Sequence, residues 1–180
     1  IDLSAQTTLE SIGSSFCADC TSLSSVALPS QLKTLGHHAF HGCWALTAVD
    51  LSALASLLSV GNGFCGGCGS LAKVRLPTSL EWIGDNALTD CSSLTALDLS
   101  ELRGLKRVGA NFCTGCPRDA RILLPRRLES LGHSAFEGSA LTDLDLSALR
   151  ELTVIASSFC SECPDLTTAR LPPALERIAT

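Results

Sequence analysis

Ten cysteines stand in a chain of 180 residues, and eight of them form Cys-x-x-Cys pairs: Cys17 with Cys20, Cys65 with Cys68, Cys113 with Cys116, and Cys160 with Cys163. Such pairs hold structural zinc when two converge on one ion, or exchange electrons when one opens a helix in a βαβ fold. Neither chemistry suits them here. If the segments between them stack as strands, pairs two units apart lie about 10 Å apart, beyond a tetrahedral site with ~2.3 Å bonds. His37, His38 and His41 also cluster, and His37 and His41 at i,i+4 can meet on a helical turn, but no nearby acid or cysteine completes a ligand set. They read as surface histidines, and His133 is too far along the chain to join them. Asp50 and Asp98 are carboxylates of the kind that hydrolyse glycosides, yet Arg75 falls between them. Gly61 to Gly66 satisfies G-x-G-x-x-G, but a 23-residue repeat has no room for a crossover helix. With no Gly-x-Ser-x-Gly elbow and no P-loop, the chain is expected not to be an enzyme and to need no cofactor or metal.

The elements that place these residues come from a repeat. Segments of the form Leu-x-x-(Ile/Leu/Val)-(Gly/Ala) begin at Leu9, Leu32, Leu57, Leu80, Leu105, Leu128, Leu152 and Leu175. Odd units end in Leu-Pro (Leu28-Pro29, Leu76-Pro77, Leu124-Pro125, Leu171-Pro172), and even units in Asp-Leu-Ser with an added leucine (Leu54, Leu102, Leu149). The complete units are 9–31, 32–56, 57–79, 80–104, 105–127, 128–151 and 152–174, with partial units at 1–8 and 175–180. Alternation around Val26-Ala27-Leu28 predicts one short parallel strand per unit. Ala39, Phe40, Cys43 and Leu46 fall on one helical face, which predicts a short helix or 3₁₀ turn opposite. The expected fold class is therefore an α/β repeat: a single solenoid over 1–180 with parallel strands on the concave face. No unit buries its apolar face alone, so units must stack.

The stretch Leu32 to Ser52, LKTLGHHAFHGCWALTAVDLS, resembles the BspA-like class of leucine-rich repeats, and the same pattern covers essentially the whole chain. The resemblance implies a leucine-rich-repeat solenoid, a cell-surface or secreted setting, and adhesion or binding to a protein or glycan. The alternative is an intracellular scaffold with reduced cysteines, linked to an effector domain elsewhere. Further repeats or flanking domains are expected beyond this segment.

In the core, Cys17, Phe40, Cys65, Leu88, Cys113, Phe136 and Cys160 form one column, and Phe16, Ala39, Phe64, Ala87, Phe112, Ala135 and Phe159 the next. Large and small residues swap between neighbours, so layers interdigitate at constant volume. The second cysteine of each pair aligns with Cys43 and Cys91, and with Ser139 where one residue is deleted. The four pairs have two open readings: local disulfides in an oxidising compartment, or buried thiols acting as small hydrophobes.

Function would sit on the outward columns. Asp50, Arg75 and Asp98 form one expected ion ladder, and Asp145 with Arg170 another. A second column, Glu10, Lys33, Leu58, Glu81, Lys106 and Glu129, alternates sign in the same way. Residues that break the columns are the binding candidates: Trp44, Trp82 and Leu123, with Arg75 and Arg170 beside them. Hydrophobic residues make up 46% and charged residues 17%, which excludes a disordered chain. A net charge of −5 without a basic cluster argues against nucleic acid, and no apolar run approaches a membrane span.

Overall fold

The computed structural model describes residues 1–117 and 120–179. Twice in each turn of the chain, inward and outward residues alternate, and each such place becomes a parallel strand. One set joins as a six-stranded sheet: β1 (Ser11–Ile12), β2 (Thr34–Leu35), β4 (Ser59–Val60), β6 (Trp82–Ile83), β8 (Arg107–Val108) and β10 (Ser130–Leu131). The other contains β3 (Ala48–Asp50), β5 (Lys73–Arg75), β7 (Ala96–Asp98) and β9 (Arg121–Leu123). Further along, β11 (Asp143–Asp145) pairs with β13 (Thr168–Arg170), and β12 (Val154–Ile155) with β14 (Arg177–Ile178). The register is residue for residue, Val49 on Val74 and Asp50 on Arg75. Each complete unit from 32–56 to 152–174 thus carries two strands, and unit 9–31 one strand and an isolated bridge at Ala27, where alternation in the sequence predicts one strand per unit.

The expected helical face does not form. Among the described residues there is no α- or 3₁₀-helix, and the fold is an all-β leucine-rich-repeat solenoid. The reason lies in the backbone. Positive φ recurs at the same two offsets in unit after unit: Ser15 and Asp19, His38 and Gly42, Asn86 and Asp90, Asn111 and Gly115, Ser158 and Glu162. A right-handed helix cannot pass through such residues. The i, i+3, i+4 apolar spacing is instead met by separate turns, such as Leu46 N–H to the Cys43 carbonyl at 3.1 Å. Amides that a helix would use internally point sideways into the next unit. Ser15 N–H reaches the His37 carbonyl at 2.7 Å, Asp19 the His41 carbonyl at 2.7 Å, and Gly42 the Gly66 carbonyl at 2.8 Å.

That lateral bonding brings neighbouring backbones very close. A Cβ at Gly36, Gly61, Gly84, Gly109 or Gly132 would fall 2.4 to 2.7 Å from the backbone of the preceding unit. Ala156 occupies this column in the seventh unit, and the sheet containing β10 stops there, with β12 bonded only to β14.

Between the sheets and the turns, the alternating columns pack as the sequence implies. Phe40, Phe64, Phe112 and Phe136 are fully buried, with Ala39, Ala87 and Ala135 in the swapped positions. Phe40 meets Phe16 and Phe64 edge-on at 6.3 and 6.1 Å, a geometry favoured by the ring quadrupoles.

The cysteine column does more than fill space. The Cys43 thiol donates to the Cys17 carbonyl at 3.1 Å, Cys68 to Phe40 at 3.0 Å, Cys91 to Cys65 at 3.2 Å and Cys163 to Phe136 at 3.1 Å. Ser139 takes the same place and donates its hydroxyl to the Cys113 carbonyl at 2.9 Å. In these five units the column sets a small donor side chain against a carbonyl of the preceding unit. At the even corners a second device repeats: Asp50 Oδ1 accepts both the amide and the hydroxyl of Ser52, at 2.9 and 2.6 Å, as Asp98 does from Ser100 and Asp145 from Ser147. The Asp-Leu-Ser signature is an Asx-type turn. Bonding to Ser52, Ser100 and Ser147 is the main cause holding these carboxyls below their ordinary pKa, with Arg75, Arg121 and Arg170 adding less.

Three outcomes follow from this packing. Gly84→Ala should lower stability by roughly 1–3 kcal/mol in urea unfolding, because the preceding backbone must move. Cys91→Ala should cost about 1–2 kcal/mol and Cys91→Ser less, since only the hydroxyl keeps a donor on the Cys65 carbonyl. The aspartates' folded pKa values lie below the ordinary 3.8. Their contribution is present above that value and disappears as pH falls through the lower folded values. A Ser52→Ala, Ser100→Ala, Ser147→Ala variant should therefore lose less Tm than the parent between pH 5 and pH 2.5 (about the range spanned by these titrations).

Candidate functional site

The candidate residues do not converge on one point. Trp44 follows the turn that leads to β3, 65% exposed, and a side chain at Gly69 would touch its ring. Trp82 lies half-buried on β6, in register between Ser59 and Arg107, and the neighbouring Leu58 is 51% exposed. Arg75 pairs with Asp50 at 3.7 Å, and Arg170 with Asp145 at 3.2 Å. The expected third rung from Arg75 to Asp98 is absent among the described residues, where Asp98 faces Leu123 in register. In the other column Lys33 pairs with Glu10 at 2.7 Å and Lys106 with Glu129 at 3.0 Å. These pairs are well exposed, so each contributes little and mainly fixes register.

The paired cysteines are brought together in all four cases, and all ten cysteines are free thiols in the structure. Cys68 gives its proton to the Phe40 carbonyl and Cys163 to the Phe136 carbonyl. Burial is the main cause pushing the Cys65, Cys91 and Cys113 thiols up, and it raises Cys43 and Cys160 to about 12. Such groups stay protonated and are poor nucleophiles. The histidines depart from their i,i+4 expectation because no helix forms. His38 and His41 meet edge-on at 5.4 Å, while His37 Nδ1 accepts the Asn62 amide at 2.9 Å. Among the described residues no three His, Cys, Asp or Glu side chains are placed to hold a metal, and no helix is long and apolar enough to cross a membrane.

A groove forms where unit length changes. From the second strand of an even unit to the first strand of the next, eight residues intervene, as in 99–106 and 146–153, whereas six follow the second strand of an odd unit, as in 124–129. The short odd corner lies recessed between two longer ones. A groove of ≈ 850 Å³ results, with Leu123, Leu124, Arg126 and Arg127 on the floor, Ser100, Glu101 and Arg103 on one wall, and Asp145, Ser147 and Ala148 on the other. Of the sequence candidates, only Leu123 lines it. The expectation of no basic cluster fails here. Unit 105–127 carries six basic residues against one acid, although the whole chain has a net charge of −5. The sequence signal was available by comparing odd corners: Ser30-Gln31, Thr78-Ser79 and Pro173-Ala174 stand where this unit has Arg126-Arg127. A second cavity, ≈ 360 Å³, is lined by core residues of the last units, among them Leu144, Ile155, Phe159 and Ile178.

The family model described as BspA type leucine rich repeat region matches in six copies, over residues 1–102 and 58–180. Among curated proteins none matches. A leucine-rich repeat protein from Bacteroides ovatus superposes with a TM-score of 0.83 at 24% identity, covering 94% of this chain and 43% of that one. The T. pallidum leucine rich repeat protein gives 0.62 at 24% identity, covering 94% and 66%. The chain therefore spans less than half of the first structure's length and about two thirds of the second's, and both share its fold. Matched from end to end by the repeat pattern, the chain belongs to the BspA-type leucine-rich-repeat family.

Proposed function

We propose that the chain is a non-enzymatic binding module of a cell-surface or secreted protein, engaging a protein or glycan through side chains that break its outward columns. The observation that carries this reading is the 65% exposure of Trp44 beside Gly69, the highest among the exposed large apolar side chains of the described residues. Tryptophan anchors interfaces because it buries much apolar area for little lost conformational freedom, and a glycine shelf leaves its face open. Trp82 with Leu58 offers a second apolar spot on the other sheet. The alternative, an intracellular scaffold, draws support from the free thiols and from the burial that pushes the Cys65 and Cys113 thiols up.

Two measurements separate the readings. On arrays of extracellular-matrix proteins and glycans, the parent chain should be retained, and Trp44→Ala should weaken retention about tenfold with stability changed by less than ~0.5 kcal/mol. Equal retention of parent and variant would remove Trp44 from the interface. Protein isolated from its natural source and alkylated under denaturing conditions should show eight cysteines that react only after reduction. Ten freely reacting thiols would favour the intracellular scaffold.

A further inference from the structure

We propose that the groove over the Leu124-Pro125-Arg126-Arg127 corner binds an acidic peptide segment, with one apolar side chain seated on Leu123 and carboxylates set against Arg126, Arg127 and Arg103. The inference rests on the reading of the chain as a binding module and names a ligand class for one of its faces.

Charge inside the groove is unequally satisfied. Its two acids already have partners: Asp145 accepts from Ser147 and pairs with Arg170 at 3.2 Å, and Glu101 lies 3.6 Å from Arg103. Arg126 and Arg127 form no ion pair among the described residues. The Arg103 contact is long, at 3.6 Å, and its side chains are 86% and 77% exposed, so Arg103 keeps donors open to a further carboxylate while it stays beside Glu101. The Arg150 amide donates to the Arg126 carbonyl at 3.3 Å, which places a further basic residue behind this corner.

The floor supplies the apolar half of the specificity. Arg75 and Arg170 stand in the same column as Leu123 and engage aspartates of the preceding even units. Leu123 cannot do so, and it faces Asp98 across the sheet. This one unit thus differs twice from the other odd units, with leucine where two of them carry arginine and a pair of arginines where none of them carries a charge. The two changes fall in one groove. An extended peptide presents residues i and i+2 on the same side about 7 Å apart, and the two even corners lie about 10 Å apart, so a leucine flanked by acids spans floor and walls. A sulfated sugar would satisfy the arginines but has nothing to place on Leu123.

The test uses the full chain and a fluorescein-labelled pentapeptide with a central leucine and two glutamates on either side. Fluorescence anisotropy should show saturable binding that weakens as salt rises from 50 to 500 mM (roughly a threefold shortening of the screening length). Arg126→Ser with Arg127→Ser, small polar residues like those of the third unit, should weaken it at least about tenfold with Tm unchanged. Leu123→Arg, which gives the residue found in the third and seventh units, should weaken it by a similar factor. No saturable binding by a parent chain whose Trp44-dependent retention is intact would overturn the groove assignment alone. Loss of that retention as well would overturn the broader reading. Tighter binding of a heparin-derived hexasaccharide that depends on Arg126 and Arg127 but ignores Leu123→Arg would overturn the peptide in favour of a sulfated glycan. Arginine-dependent dimers in sedimentation would assign the groove to a second copy.

Discussion

Every unit of this solenoid leaves backbone amides that only its neighbour can satisfy. The Ser15 and Asp19 amides have their acceptors at His37 and His41, and the pattern recurs from His38 and Gly42 onward. This lateral bonding requires residues held at positive φ, which costs about 1–2 kcal/mol for each non-glycine residue. It also requires adjacent backbones close enough to exclude a Cβ, which is why the glycine column is so regular. The thiol column belongs to the same constraint. Carbonyls of the turn region take a donor from the next unit's Cys or Ser, so the residue type is set by hydrogen bonding and the size by packing.

A single repeat would satisfy these demands with identical units, yet this chain alternates two. The swap of Phe and Ala between adjacent columns lets rings from one layer fit over methyl groups of the next, and the edge-on contacts of Phe40 reflect that fit. Corner length alternates with it. Even corners carry an added buried leucine, Leu54, Leu102 or Leu149, held in by an Asx turn at the preceding aspartate. The longer corners stand above the odd ones, so a rule that governs the core also shapes the outer edge.

Much of this was legible in the sequence, because leucine spacing is a direct consequence of stacking. The columns around Phe40 and Cys43, the ion pairs of Arg75 and Arg170, and the family all follow from it. The helix was misread because Ala39, Phe40, Cys43 and Leu46 have the same spacing in a run of separate turns as on a helical face. Periodicity reports which residues point inward and says nothing about the sign of φ at His38. The second strand escaped notice because Ser11–Ile12 and its equivalents span two residues, too short for alternation to register. The arginine groove was invisible for another reason. Arg126 and Arg127 are neighbours in sequence, but Arg103 belongs to the preceding unit and only stacking brings it to the same groove, so no run of basic residues marks the site.

The same constraint explains where variation can accumulate. Core columns are coupled across every interface, so a change at Gly84 or Cys91 is felt by two units at once. Outward positions are coupled only through exposed ion pairs that contribute little. Leu123 could therefore replace a charged residue, and Arg126 and Arg127 small polar ones, at small cost to the array. Concentration of these departures in one unit does not follow from packing, since the equivalent corner at Thr78 and Ser79 folds in the same way without them. A scaffold that is uniform inside and uneven at one corner has the physical character of a frame carrying a local recognition surface.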